Sequence, residues 1–359
     1  MSLRAILLVA RAILGDPRRV LHRLRGRHVR AGHLDRRQAR PCRRPAGCCE
    51  TRRPAPRMIR ALVAAILVAP AFAAAEVLEV QPVTDGVWAI VGEKAQRSPE
   101  NLANNATFGL VVTADGAVLI DPGGSWQGAQ ALHDAISGVT DLPVTHVVNT
   151  GGQDHRWLGN GYWQAQGATV IASQAAVEDQ RVRASMQMTA LAQLIGDALE
   201  GTEPSFADVT FADAHTLEIG GLTFEIVHPG PAHTPGDSFV WVPARDTVFT
   251  GDIVYVERVL GVGDQSSITS WPAAYLAVEA TGAAHVVPGH GGPTTMEHAR
   301  ADTYDYLINL REQIGALLDA GGDIMAAPQV DQSAYSRLEQ FEALAGRNAQ
   351  TAFQQMEWE

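Results

Sequence analysis

The sequence predicts an α/β protein in which two β-sheets face each other and helices cover the outer side of each sheet. From residue 76 onward, short strand-like segments alternate with helical ones, and this arrangement occurs once in each half of the chain. No low-complexity linker separates the two halves. We therefore expect both halves to bury their apolar faces in one layered domain, 76–325, followed by a C-terminal helical tail, 326–359.

The first half opens with alternating apolar and polar residues. The alternation over 77–91 breaks at Asp85-Gly86, which predicts a hairpin, and a second pair of strands flanks Asp115-Gly116. Apolar spacing then predicts helices at 126–136, 156–166 and 173–200, and strands at 144–148 and 168–172. In the last of these helices, Met186, Met188, Leu191 and Leu194 are expected to share one side, either as core or as the apolar wall of a pocket.

The second half repeats the same alternation of strands and helices. The predicted strands span 209–211, 215–219, 222–227, 238–242, 247–250 and 285–287. The predicted helices span 271–280, 296–320 and, within the tail, 332–346.

The first 75 residues differ from the rest of the chain. Residues 1–57 are rich in Arg and Pro and lack apolar periodicity, so we expect them to be disordered or absent from the native product. A positive residue, an apolar run of about ten residues and an A-x-A exit follow Met58, and 58–75 is therefore predicted to be a secretory signal peptide. The alternative is an uncleaved N-terminal anchor. The apolar run is too short to span a bilayer comfortably, so a periplasmic or secreted protein is predicted, without stable membrane insertion after cleavage.

Charge and cysteine content limit the function classes. Residues 1–75 hold 17 of the 28 basic side chains and three of the 39 acidic ones, so residues 76–359 carry a net charge of −25. Such an acidic domain repels phosphate backbones, which argues against nucleic-acid binding and favours a small-molecule substrate. All three cysteines precede residue 50, so a metal ion in the main domain would need His, Asp, Glu or Gln ligands. The sequence indicates no particular oligomeric state.

Four segments place ionisable residues directly after a predicted strand, and each segment contains glycine. In layered α/β folds, functional residues collect in such loops. The segments are N-T-G-G-Q-D-H at 149–155, G-P-A-H-T-P-G-D at 230–237, F-T-G-D at 249–252 and V-P-G-H-G-G at 287–292.

These four segments resemble the motifs of the metallo-β-lactamase superfamily of metallohydrolases, over nearly all of 77–320. The resemblance implies an αββα four-layer sandwich that holds one or two metal ions, usually zinc, at the sheet edges. It also assigns roles to three residues of this chain. His233 matches a ligand of the first metal, Asp252 matches the carboxylate that bridges two metals or binds the second, and His290 matches a ligand of the second metal.

The first segment departs from the family pattern N-T-H-x-H-x-D-H. Aligned without a gap, the paired histidines become Gly151 and Gln153, the aspartate becomes His155 and the last histidine becomes Arg156. With a shift of one residue, Asp154 and His155 match the family's Asp-His pair instead. Both alignments remain open at the level of the sequence.

In either alignment, the first metal site retains only His233, with Gln153 as a weak neutral ligand at most. The second site retains His155, Asp252 and His290, and Asp154 joins it in the shifted alignment. Three or four N and O ligands suffice for a catalytic zinc ion with an open position. We therefore expect a single ion, zinc in preference to iron.

Several neighbours of these ligands have predicted catalytic or substrate roles. Asp154 is expected to orient a metal-activated water or to take its proton, if it is not itself a ligand. Arg156 either holds a substrate carboxylate or pairs with an acidic neighbour. Trp157, Tyr255 and Arg258 are candidates for lining the pocket, against the alternatives of core aromatics and a surface arginine.

The resemblance predicts an exported hydrolase of an ester, thioester, lactone or lactam. Because the paired histidines are lost, a non-catalytic binding protein on the same fold is the main alternative. A third hypothesis retains the metal for redox or sulfur chemistry, in which case iron is expected.

Overall fold

The computed structural model describes residues 78–359, in which two β-sheets pack face to face between helices. The predicted αββα sandwich is confirmed. The predicted signal peptide, the segment before it and the three cysteines lie outside the described residues. Within 78–359, no helix has both the length and the apolar character needed to cross a membrane.

The first sheet has seven strands, whose spatial order β1-β2-β3-β4-β5-β6-β7 follows the chain. Strands β1 to β4 pair antiparallel, whereas β4 to β7 pair parallel, because helices connect the later strands. The strands are β1 (Glu79–Thr84), β2 (Val87–Val91), β3 (Thr107–Thr113), β4 (Gly116–Ile120), β5 (Val144–Val148), β6 (Thr169–Ser173) and β7 (Val209–Phe211).

The second sheet has five strands in the order β12-β11-β10-β9-β8. All neighbours pair antiparallel except β11 and β12, which run parallel. The strands are β8 (Ala214–Ile219), β9 (Leu222–Val227), β10 (Phe239–Val242), β11 (Thr247–Phe249) and β12 (His285–Val287).

Helices enclose both sheets from the outside. They are α1 (Trp126–Ser137), α2 (Asn160–Ala165), α3 (Gln174–Ile195), α4 (Trp271–Glu279), α5 (Met296–Ala299), α6 (Asp305–Asp319) and α7 (Phe341–Met356). A π-helical segment, Arg300–Tyr304, joins α5 to α6, so the predicted helix at 296–320 is continuous but irregular.

Alternation along the strands produces three apolar layers. On β3, Leu110 packs with residues of α1 and α2, whereas the next residue, Val111, packs against the second sheet. On β10, Val240 faces the first sheet, whereas Trp241 faces α4 and α6. Successive side chains of a strand point to opposite faces, so each sheet contributes to the central layer and to one outer layer.

Two helices differ from the sequence prediction. On α3, Met186 and Leu194 are exposed, and only Leu191 of the predicted apolar side is fully buried. The polar residues Gln180 and Gln187 are buried instead, because their amides donate hydrogen bonds to the carbonyls of the 151–152 loop.

The tail helix lies further along the chain than predicted: it spans Phe341–Met356 rather than 332–346. Gly346 lies inside this helix, where a Cβ would contact Pro328. This glycine therefore does not terminate the helix. Residues of α7, including Ala349 and Phe353, belong to the same apolar layer as α6.

Candidate metal centre

Three loops bring His155, Asp252 and His290 close together. His155 lies on a 3-10 turn, Asp154–Arg156, that follows β5, and Asp252 lies on a second 3-10 turn, Gly251–Ile253, that follows β11. His290 comes three residues after β12, the parallel neighbour of β11. Because parallel strands end at the same edge of a sheet, Asp252 and His290 emerge side by side.

Gly251 permits this turn. Its φ is +49°, and an added Cβ would collide with the side chain of Thr150. Only glycine adopts this conformation without strain and also leaves room for Thr150.

The three side chains, hereafter the donor cluster (His155, Asp252 and His290), are buried and offer ligand atoms that all lie within 4.8 Å of one another. Nε2 of His155 is 3.2 Å from Oδ2 of Asp252, and Nε2 of His290 is 3.2 Å from Oδ1 of Asp252. Zn–N and Zn–O bonds of about 2.0–2.1 Å in a tetrahedron place neighbouring ligand atoms about 3.3 Å apart. The observed spacing therefore fits an ion of this size.

The protonation of the cluster also suits a cation. Burial lowers the pKa of His290 well below its usual value, despite the opposing effect of Asp252, so the imidazole is neutral. Burial alone would raise the pKa of Asp252. The positive charge of Arg156 and the contacts with His155 and His290 outweigh burial and hold that pKa well below its usual value.

Arg156 is buried and forms an ion pair with Asp252. Its side chain has no exposed surface, and its two terminal nitrogens donate to Asp252 at 2.7 Å, Asp121 at 2.8 Å and the carbonyls of Thr107 and Gly289. Of the two predicted roles for Arg156, the structure shows the pairing with acidic neighbours. A fully buried guanidinium with these partners is not available to a substrate carboxylate.

Asp121, the second carboxylate on Arg156, was not singled out by the sequence analysis. It follows β4 directly, has a φ of +68° and accepts hydrogen bonds from the amide and hydroxyl of Thr150. The available signal was its position: an acidic residue at the end of a buried strand, before P-G-G.

Asp154 lies beside the donor cluster but outside it. Its carboxylate forms a forked ion pair with Arg97, through Arg97 Nε to Oδ2 at 2.9 Å and Arg97 Nη2 to Oδ1. Oδ1 also accepts from the His155 amide at 2.9 Å and from Gln153 Nε2 at 3.2 Å. Arg97 lies 57 residues before its partner and was not predicted from the sequence.

The first-ion region comprises Gly151, Gly152, Gln153, His233 and Asp237. At both glycines a Cβ would collide with a neighbouring carboxylate, at Gly151 with Asp237 Oδ1 and at Gly152 with Asp179 Oδ2. Gln153 Oε1 is buried without a hydrogen-bond partner.

The ionisable groups of this region are neutral at pH 7. Burial lowers the pKa of His233 to about 4, against the raising effect of Asp252. Burial, together with the charge of Asp252, raises the pKa of Asp237 to about 8. His233 Nδ1 lies 2.9 Å from the Gly261 carbonyl and must donate to it, so Nε2 carries the lone pair. His233 is thus close to the donor cluster without belonging to the group of three.

The predicted pocket residues differ in accessibility. Tyr255 is buried and stacks on His290, with ring centroids 4.4 Å apart, and Arg258 is half-buried with Nη1 3.4 Å from His290 Nδ1. Trp157 is fully buried, stacks on Phe206 and donates to Gln187, so it is a core residue beneath the loop and does not line the pocket.

Together, these groups can hold one divalent cation between two imidazoles and a carboxylate. Such a centre can polarise an oxygen of a bound substrate or lower the pKa of a bound water. Its donor set lies at an edge where both sheets contribute loops, which is where layered α/β proteins expose their sites.

Comparison with known proteins identifies the class of proteins to which this αββα sandwich belongs. A sequence profile described as the metallo-beta-lactamase superfamily matches residues 103–290. The chain belongs to this superfamily, and that membership supports a metal-dependent hydrolase-type function.

One curated relative is a metallo-beta-lactamase type 2 from Bacteroides fragilis, which is 28% identical over 104 residues. The match covers 27% of this chain and 42% of the relative, so the chain spans less than half of that protein.

Solved structures give the same fold. A metallo-beta-lactamase from Pontibacter korlensis aligns with a TM-score of 0.53 and 26% identity, over 65% of this chain and 99% of that chain. The DIM-1 metallo-beta-lactamase exposed to ceftazidime aligns with a TM-score of 0.50 and 19% identity, over 64% of this chain and 96% of that chain, which shows the fold alone.

Proposed function

We propose that the protein is an exported hydrolase that uses a single divalent ion, zinc in preference to iron, to cleave an ester, thioester, lactone or lactam. The observation that carries the proposal is the donor cluster. Two imidazoles and one carboxylate, all buried, lie at ligand spacing on the edge of a sandwich whose superfamily is typically hydrolytic.

A single ion is proposed because the two halves of the cleft differ. The donor cluster has three ligand atoms, whereas the first-ion region has two glycines, a neutral amide and one imidazole. The collisions at Gly151 and Gly152 indicate that this region is filled by Asp237 and Asp179 rather than left open for ligands.

When bound, zinc supplies a Lewis acid and a water whose pKa is close to neutral. The residues of the chain would do the rest. Arg156 keeps Asp252 ionised and in place, and stacking by Tyr255 fixes the plane of His290. His233, neutral and with its lone pair on Nε2, is a candidate proton acceptor, because Asp154 is already engaged by Arg97.

Arg258 is proposed to recognise an anionic group of the substrate. Within 78–359, its guanidinium contacts the His290 imidazole and the Tyr255 ring, neither of which compensates its charge. Burial and the nearby charge of Arg97 lower its pKa. A substrate carboxylate beside the scissile bond would therefore find an available partner here.

The test is metal analysis combined with hydrolysis of a panel of esters, thioesters, lactones and lactams, with and without a carboxylate. We expect about one zinc per chain, activity that a chelator removes and zinc restores, and loss of both metal and activity in His290→Ala. His146→Ala is the matched control, because it removes an imidazole from β5 outside the site.

Three outcomes would redirect the proposal. Unchanged function in His290→Ala would favour a binding protein, and bound iron without hydrolysis would favour redox chemistry, since two histidines and a carboxylate also suit iron. For export, a mature N-terminus near residue 75 in periplasmic material is expected, and a full-length cytosolic product would contradict it.

A further inference from the structure

Arg97 reaches the candidate site from a part of the chain that precedes the superfamily match at 103–290. It lies in the connection between β2 and β3, and its side chain is only 15% exposed. Gln96 Oε1 accepts from its amide at 3.0 Å and from Nη1 at 3.2 Å, so the backbone and the guanidinium are held together. Gln96 therefore helps to orient the Arg97 side chain towards Asp154.

The ion pair engages both oxygens of Asp154. Oδ2 accepts from Arg97 Nε, and Oδ1 accepts from Arg97 Nη2, the His155 amide and Gln153 Nε2. These contacts with Arg97 fix the orientation of the Asp154 carboxylate.

This pair faces the ring nitrogen of His155 that points away from the donor cluster. Nδ1 of His155 lies 3.0 Å from Arg97 Nη2, a donor, and 3.3 Å from Asp154 Oδ1, an acceptor. Either neutral tautomer of His155 therefore has a partner. When Nε2 carries the lone pair that a metal requires, Nδ1 carries the proton and Asp154 is the acceptor beside it.

We infer that Arg97 is a positioning residue of the metal centre, which acts through Asp154 to hold Nε2 of His155 towards Asp252 and the ion. The inference rests on the proposed function only in that it needs a metal at the donor cluster; it needs no substrate. It also gives Asp154 a different role from the predicted ligand or water-orienting base: Asp154 is the carboxylate partner of a ligating imidazole.

The experiment measures Zn²⁺ affinity of the folded protein by competition with a chromophoric chelator, without any assay of activity. Loss of an outer partner of a metal-bound histidine typically weakens affinity about 10- to 100-fold, and we expect this range for Arg97→Met and for Asp154→Asn. Arg97→Lys keeps the charge but lacks the fork, so we expect it to be weakened as well. In the double variant the losses should not add, because both act through one contact.

Arg300→Met is the matched control. Arg300 forms the same forked ion pair, with Glu279 at 2.7 and 2.6 Å, but on the helical layer outside the site. Its loss should leave Zn²⁺ affinity unchanged. Thermal unfolding of each metal-free variant verifies that a weaker affinity is measured on folded protein.

The outcomes separate the two proposals. Unchanged or tighter Zn²⁺ binding in Arg97→Met overturns the positioning role, because the site would then not need Arg97. Wild-type affinity in Arg97→Lys also overturns it, because the charge rather than the forked contact would then be sufficient. A wild-type protein that binds no zinc overturns both proposals. Zinc binding that depends on Arg97, in a protein that hydrolyses nothing on the panel, supports the positioning role and overturns only the proposed hydrolase.

Discussion

The donor cluster and the first-ion region occupy adjacent parts of one cleft, yet burial has opposite consequences in them. In the donor cluster, Arg156 compensates the charge of Asp252, so the carboxylate stays ionised although its side chain is only 1% exposed. In the first-ion region, Asp237 is equally buried but hydrogen-bonds only to Thr234, and its pKa rises to about 8. A buried carboxylate thus remains charged only where the fold supplies a cation.

This difference separates a part of the site that suits a cation from one that does not. The donor cluster suits a dication because Asp252 stays ionised and the His290 imidazole is neutral. The first-ion region has no comparable support and has become a neutral hydrogen-bonded packing layer, in which Thr234 also accepts from the amide of Gly152 at 3.1 Å.

The largest expected effect comes from Asp252→Ala. It removes a ligand and also leaves Arg156 buried with Asp121 as its remaining carboxylate. Breaking a buried pair from one side costs about 3–5 kcal/mol, so we expect that loss in the free energy of unfolding together with loss of zinc binding. Urea denaturation and metal analysis measure the two effects.

Asp302→Ala provides the comparison for that variant. Asp302 is 1% exposed and pairs with Arg337 and His298 on the outer helical layer. Its loss should destabilise the protein while leaving zinc binding intact. If zinc binding fell equally in both variants, general destabilisation rather than ligand loss would explain the result.

A second prediction concerns the pH dependence that Asp237 imposes. In the unfolded chain its carboxyl ionises near pH 3.9, whereas in the folded protein its pKa is about 8. The folded state therefore binds one more proton between these values. The stabilisation from this group is complete below about pH 4 and is lost at about 1.4 kcal/mol per pH unit as pH rises towards 8.

Asp237→Asn isolates this effect. An amide can reproduce the bonds of the neutral acid to the amide and hydroxyl of Thr234, so we expect similar stability near pH 4 and an increasing advantage of the variant from there up to pH 8. Urea unfolding at one-unit intervals gives the difference between the two proteins. Parallel curves would mean that Asp237 is ionised in the folded state and that the contrast with Asp252 does not hold.

The sequence predicted the strands well because alternation and turn residues are local signals. The bounds of β5, β7, β9 and β12 coincide with the predicted strands, and β2 and β5 end directly before Gly92 and Asn149. The same signals placed His155, Asp252 and His290 at strand ends, where the structure brings them together. Parallel pairing of β11 and β12 then brings residues 38 positions apart into contact.

The contacts that orient those residues depend on tertiary structure and leave no local signal. Arg97 meets Asp154 and Arg156 meets Asp121 over separations of 57 and 35 residues, between loops of the folded first sheet. The tail helix was also misplaced: the sequence prediction ended it at Gly346, whereas Gly346 lies inside the observed helix, Phe341–Met356.

The last prediction concerns a double variant, Gly151→His with Gln153→His, which is designed to restore ligands at the first ion site. Gln153 is half-buried, so its substitution alone should leave stability nearly unchanged. The new side chain at 151 collides with Asp237, and forcing extra atoms into a packed region costs about 1–3 kcal/mol. We expect the double variant to be destabilised by that amount and still to bind one zinc per chain. Two zinc ions per chain with wild-type stability would show that the region lacks only ligands and not space, and the contrast between the two parts of the cleft would then be one of composition alone.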